Sequence, residues 1–191
     1  MHHFGCAVAH LATAGLLALA CAGCQDANAP APVDGLSAIP GVWSADLRFT
    51  YDERGLTFYA FSCGALRTTI EAGPDGQLSG SWTLAGCGHP AGMLAGMITG
   101  QAITVTLTTS GGSNLFQWVS NYSEDYGCAD SPATAAGSAT GIISRSDYDG
   151  TLRLSLGAAA SMTRLADPLP GLASPVCYGI SGAWRWYASP A

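Results

Sequence analysis

Between Cys63 and Cys87 the chain alternates apolar and polar residues about one turn, and this alternation constrains the fold more than any other feature. Pro74-Asp75-Gly76 fits a three-residue hairpin loop: Pro fixes φ at the first turn position, Asp suits the second, and Gly takes the left-handed bulge. The register set by that loop places Leu66 across from Leu84, Thr68 from Trp82 and Ala72 from Leu78 on one face. Arg67–Thr83, Thr69–Ser81 and Glu71–Ser79 share the other. One face is apolar and the other wet. The same register sets Cys63 directly opposite Cys87, which predicts a cross-strand disulfide.

The pattern recurs along the chain. Trp43, Ala45, Leu47, Phe49 and Tyr51 alternate with Ser44, Asp46, Arg48 and Thr50, a half-buried strand. Asp52-Glu53-Arg54-Gly55 is a turn, and a second strand runs from Leu56 through Phe61. Gly100-Gln101 suits a type II′ turn and sets Ile98 against Ile103, Gly96 against Val105 and Leu94 against Leu107. Asn114 to Tyr122 reads as a strand with Phe116, Trp118, Ser120 and Tyr122 on one side, followed by a loop to Gly137. Gly141 to Ser144 pairs with Thr151 to Leu156, a Pro-rich connection follows (Pro168, Pro170, Pro175), and Ile180 to Tyr187 is the last strand. The fold class is therefore all-β: a single antiparallel meander of about eight to ten strands that closes as a small β-barrel and removes its edges, with a β-sandwich as the alternative. A membrane-spanning barrel is disfavoured, because the non-core faces carry Thr, Ser, Arg and Asp rather than a lipid-facing apolar band.

The one long apolar run, Ala7 to Ala22, reads as a signal h-region, too short and too early to be a permanent span. Leu19-Ala20-Cys21-Ala22-Gly23-Cys24 resembles a bacterial lipoprotein signal, in which small residues precede a Cys that is diacylated and becomes the new N-terminus. Cleavage before Cys24 leaves Cys63, Cys87, Cys128 and Cys177, an even set, whereas cleavage before Cys21 strands a thiol; an ordinary secretory signal cut nearby is the alternative. The expected organisation is a signal peptide over 1–23, a flexible Ala/Pro-rich tether over 24–40, and a barrel domain over 41–191. With Cys63 paired to Cys87, elimination pairs Cys128 with Cys177. The resemblance implies a membrane anchor through lipid on Cys24 and a place in the bacterial cell envelope. Gln25 after that Cys implies outer-membrane sorting if the host is diderm.

Gly41-Val42-Trp43 on the first strand and Ala183-Trp184-Arg185-Trp186 on the last resemble the calycin signature of lipocalins and their avidin-like relatives. There a Gly-x-Trp opens the first barrel strand, and a basic residue of the closing strand packs across the indole. Carried over, Trp43 plugs the barrel end and Arg185 covers it by a cation–π contact worth about 0.5 to 2 kcal/mol. Trp184 and Trp186 then point away from the interior, beneath a cover such as Asp167 to Pro175.

Little in the chain suggests catalysis. All seven basic residues are Arg against 13 Asp and Glu, a net charge of −6, which argues against nucleic acid as a partner. His89 is the only His outside the signal segment, and no Gly-x-Ser-x-Gly elbow accompanies it, so neither a Ser-His-Asp site nor a zinc site is expected. Asp147-x-Asp149-Gly150 and the Glu124, Asp125, Asp130 loop lack the remaining ligands of a calcium loop, and no pair of carboxylates stands out. No catalytic residue, metal ligand or cofactor is assigned. The expected role is that of a lipid-anchored envelope protein whose barrel binds a small apolar ligand or an envelope protein. Phe58, Thr68, Trp82, Phe116, Trp118, Ser120 and Tyr122 are the candidate lining of such a ligand site. The alternatives are a structural or protease-inhibitor-like barrel without a ligand, and a hydrolase with an unfamiliar site.

Overall fold

A computed structural model describes residues 33–124, 133–166 and 176–191. Helix α1 (Gly35–Ala38) leads into strands β1 (Gly41–Glu53), β2 (Leu56–Ala72), β3 (Gln77–Leu84), β4 (Ala91–Thr99) and β5 (Ala102–Thr109). Helix α2 (Leu115–Glu124) follows, then β6 (Thr134–Ala135), β7 (Ala139–Arg145), β8 (Leu152–Ala166) and β9 (Val176–Pro190). Each strand of the main ring pairs antiparallel with its neighbours in the order β1-β2-β3-β4-β5-β7-β8-β9, and β9 returns to β1, so the sheet closes as an eight-stranded barrel. The two-residue β6 adds on beside β8.

The turns that close the hairpins are set by local chemistry. Around Pro74-Asp75-Gly76 the observed pairs are Leu66↔Leu84, Thr68↔Trp82 and Ala72↔Leu78, with Gly76 at φ 83°. The second hairpin likewise pairs Ile98↔Ile103, Gly96↔Val105 and Leu94↔Leu107. Arg54 and Gly55, at φ 52° and 76°, form the two-residue link between β1 and β2 with both positions left-handed, as a type I′ turn requires. Cys63 and Cys87 form the expected disulfide, their Cα atoms 5.1 Å apart. Cys24 and Cys128, and with Cys128 the second expected bridge to Cys177, lie outside the described residues.

Two sequence expectations are corrected. Asn114 to Tyr122 is not a strand: the Asn114 side chain accepts hydrogen bonds from the backbone N–H groups of Phe116 (2.9 Å) and Gln117 (3.4 Å) and caps α2. Leu115, Phe116 and Val119 then fall on one helical face and are buried, while Trp118 is 40% exposed. Residues 33–40 are not free tether either. Ile39 is fully buried, the Trp43 indole donates to its carbonyl at 2.8 Å, and α1 packs against β4 and β7.

The inward positions form one core. An eight-stranded barrel has an interior just wide enough for side chains to fill, and here Trp43, Trp82, Trp184 and Trp186 fill it together with Phe49, Leu66, Ile70, Leu107 and Leu154. α1 lies at the end where β1 starts, and α2 at the opposite end, where the β1–β2 turn also stands.

Candidate functional site

An indole buried in a barrel still needs a partner for its N–H, and all five Trp have one. Trp82 donates to the Met93 carbonyl at 3.0 Å, and Trp184 donates to the Ser120 hydroxyl at 2.8 Å. Trp186 reaches the carbonyls of Ala45 (3.2 Å) and Leu66 (3.1 Å), cross-strand partners beside a register shift between Asp46 and Arg48. Trp118 donates to the Cys87 carbonyl at 3.3 Å, which ties α2 to the disulfide-bearing loop. Phe49 and Phe61 meet Trp184 edge-on at 5.7 and 6.3 Å. The interior is thus a set of rings locked by hydrogen bonds. Among the described residues, the inward side chains of this core are almost wholly buried.

The candidate lining residues stand in different settings. Thr68 and Trp82 lie in the filled interior, and Phe116 and Ser120 are buried on α2. Tyr122 is half-buried beside Gly88. Phe58 stands on the β1–β2 hairpin, 40% exposed and stacked on Tyr51 at 5.6 Å. Thr68 Oγ1 is buried without a hydrogen-bond partner, opposite Trp43 in one ladder and Trp82 in the other.

The barrel-end pair is also corrected. Trp43 is buried at the α1 end, but Arg185 pairs with Arg48 on the β1–β9 ladder and is exposed on the outer face, its side chain lying across Gly157. Trp184 and Trp186 point inward and are buried, on the face opposite Arg185. The cation–π contact of the described residues is instead Arg48 over Tyr59, at 5.4 Å, on the outer face of the hairpin.

The carboxylates serve turns. Asp149 is held well below the usual carboxylate range by the Thr151 hydroxyl first, then by the Ser146 side chain and the Thr151 backbone N–H, with Arg153 a smaller contributor. That network knits the β7–β8 turn. His89 is exposed in Cys87-Gly88-His89, three consecutive left-handed residues with φ 49°, 81° and 54°. Among the described residues, no three His, Cys, Asp or Glu side chains converge as metal ligands would.

What remains is the outer surface. The β1–β2 hairpin carries Leu56, Phe58 and Tyr59 into solvent at 63%, 40% and 55% exposure. Beyond Thr50↔Ala183, β1 and β9 separate and leave a cleft of about 500 Å³ bounded by Tyr51 to Glu53 and Gly179 to Ser181. A second cavity of about 620 Å³ continues it over the outer face toward Arg185. No model of a known protein family matches the chain, and no curated protein matches it in sequence.

Proposed function

We propose that this chain is a non-catalytic, extracytoplasmic protein, anchored through lipid on Cys24, that binds a protein partner of the cell envelope through the outside of its barrel. One observation carries the reading. The interior is filled by buried side chains and each end meets a helix, whereas the β1–β2 hairpin holds Leu56, Phe58 and Tyr59 in water. Large apolar side chains held in solvent mark interaction sites, and this hairpin carries them on both of its faces, Phe58 stacked on Tyr51 and Tyr59 under Arg48. The disulfide between Cys63 and Cys87 supports an oxidising compartment, and the small residues before Cys24 support lipidation. A calycin-like relationship is supported by Gly41-Val42-Trp43 and the closed meander, and lacks the basic cover on Trp43.

The test pairs two measurements. Native mass spectrometry of the domain purified without detergent is expected to show the bare protein mass. A photo-crosslinking residue placed at Phe58 in cells is expected to give one discrete protein adduct, absent when the same residue replaces Arg67. A saturable response of tryptophan fluorescence to fatty acids or isoprenoids, with a retained apolar molecule, would overturn the reading.

A further inference from the structure

Two strands that part leave backbone groups unpaired, and the β1–β9 ladder parts early. It runs from Trp43↔Pro190 to Thr50↔Ala183, yet β1 continues to Glu53 and β9 begins at Val176. Tyr51, Asp52 and Glu53 are hydrogen-bonded to β2 on one side and face the cleft on the other; Gly179 to Ser181 do the same from β9, whose other side is bound to β8. An exposed strand edge of this kind is a template for an added strand.

The walls of the fork differ in charge. At its open end stand Asp52 and Glu53, both exposed. Asp52 accepts a hydrogen bond from the Thr57 hydroxyl at 2.6 Å, and Glu53 joins no ion pair among the described residues. At the other end Arg185 lies against Gly157, where a Cβ would stand 2.9 Å from its Nη1, so the absence of a side chain makes the bed for the guanidinium. Arg185 has no carboxylate partner among the described residues. Between the two ends the floor is made by small residues, Ala159, Ser181, Gly182 and Ala183. Ser181 and Arg185 stand four positions apart on β9, about 13 Å of extended chain.

We infer that this fork is the docking site for an extended peptide segment of the partner: it adds as a strand antiparallel to Tyr51–Glu53, sets a basic residue beside Asp52 and Glu53, and lays a carboxylate on Arg185. The inference rests on the partner-binding reading above and names the chemistry of the segment recognised. Main-chain pairing to the free edge supplies affinity, as in other strand-addition complexes. The guanidinium fork matches a carboxylate in two-point geometry, which fixes direction. The carboxylate can belong to a chain terminus or to an Asp or Glu side chain, and both present the same group.

The experiment pans the purified domain, with its disulfide intact, against random octapeptides displayed with free C-termini. Enriched peptides are expected to carry Lys or Arg at one end and, a few residues C-terminal to it, an Asp, Glu or terminal carboxylate. Synthetic versions should bind Arg185→Glu at least about fivefold more weakly, the scale of losing an exposed ion pair and gaining repulsion. Panning on Arg185→Glu should select a basic group at the same position. Ser181→Tyr, which fills the fork from an exposed position, should lower binding of the wild-type peptides as well. Amidation of the C-terminus separates the two carboxylate sources: it abolishes the effect for a terminal carboxylate and leaves a side-chain carboxylate unaffected. Binding that is equal in wild type and Arg185→Glu overturns the inference, as does a library with no enrichment over Arg185→Glu. If the Phe58 adduct still forms in cells carrying Arg185→Glu and Ser181→Tyr, the fork inference fails while the partner-binding reading stands.

Discussion

Thr68 and Ser120 are both fully buried hydroxyls, and their removal should shift stability in opposite directions. Thr68 Oγ1 has no hydrogen-bond partner, so the folded state bears the desolvation of that group without compensation. Mutational data put the cost of burying an unpaired hydroxyl at roughly 1–3 kcal/mol. Thr68→Val keeps the branched shape and the strand preference while exchanging the hydroxyl for a methyl. It should stabilise the domain by about 1–2 kcal/mol, raising Tm by roughly 2–8 °C for a chain of this size. Ser120 is different because its oxygen accepts the Trp184 indole N–H at 2.8 Å in a fully buried setting. Ser120→Ala orphans that donor and should cost about 1–3 kcal/mol. Urea unfolding followed by tryptophan fluorescence reads both variants in one assay. A Thr68→Val variant less stable than wild type would refute the reasoning, because it would mean the hydroxyl is held by a partner such as a buried water.

Three further outcomes are expected. Replacing Cys63 and Cys87 together by Ala should lower stability by about 3–4 kcal/mol, from release of a loop with sequence separation 24; a loss below about 1 kcal/mol in denaturant melts would contradict the loop-closure account. The Asp149 carboxyl, whose ionised form is favoured in the folded state, should stay ionised in a carbon-detected NMR titration down to about pH 3, below the ordinary Asp midpoint of about 3.9. The sign follows from that depression: the turn's contribution is present above the ordinary midpoint and is lost only as pH falls through the depressed one, so a midpoint near 3.9 removes the contribution. Fatty-acid labelling in cells should be abolished by Cys24→Ser and retained by Cys21→Ser; the reverse result would move the modified residue to Cys21.

The hairpins were legible because their causes are local. Pro74-Asp75-Gly76 and Gly100-Gln101 each fix a turn from adjacent residues, and the register that follows brings Cys63 to Cys87. α2 was misread because Phe116, Trp118, Ser120 and Tyr122 satisfy a period of two, while Leu115, Phe116, Val119 and Tyr122 satisfy the helical one. The deciding signal was Asn114, a residue suited to a helix N-cap, directly before the apolar run. α1 escaped notice because four residues carry no readable period, and Ile39 is placed by its contact with Trp43. The fork lay beyond sequence reasoning altogether. Where β1 and β9 part depends on how strands from opposite ends of the domain meet when the ring closes.

Trp184-Arg185-Trp186 shows how magnitudes decide between two readings of one strand. Successive side chains point to opposite faces, so either Arg185 faces inward and both Trp face out, or the reverse. An Arg185 stacked on Trp43 gains about 0.5–2 kcal/mol. A Trp buries roughly 150–250 Å², worth about 4–6 kcal/mol at 25 cal/mol per Å², and this strand has two of them. Inward placement of both indoles outweighs the cation–π contact severalfold, provided their N–H groups find acceptors, which Ser120, Ala45 and Leu66 supply. The same alternation sends Arg185 outward, and Gly157 on the neighbouring strand gives its guanidinium a place to lie. The guanidinium that the calycin resemblance would spend on the barrel end therefore stands on the outer face, without a carboxylate among the described residues, at the foot of the fork. Packing of the interior has thereby fixed the charge that the exterior presents.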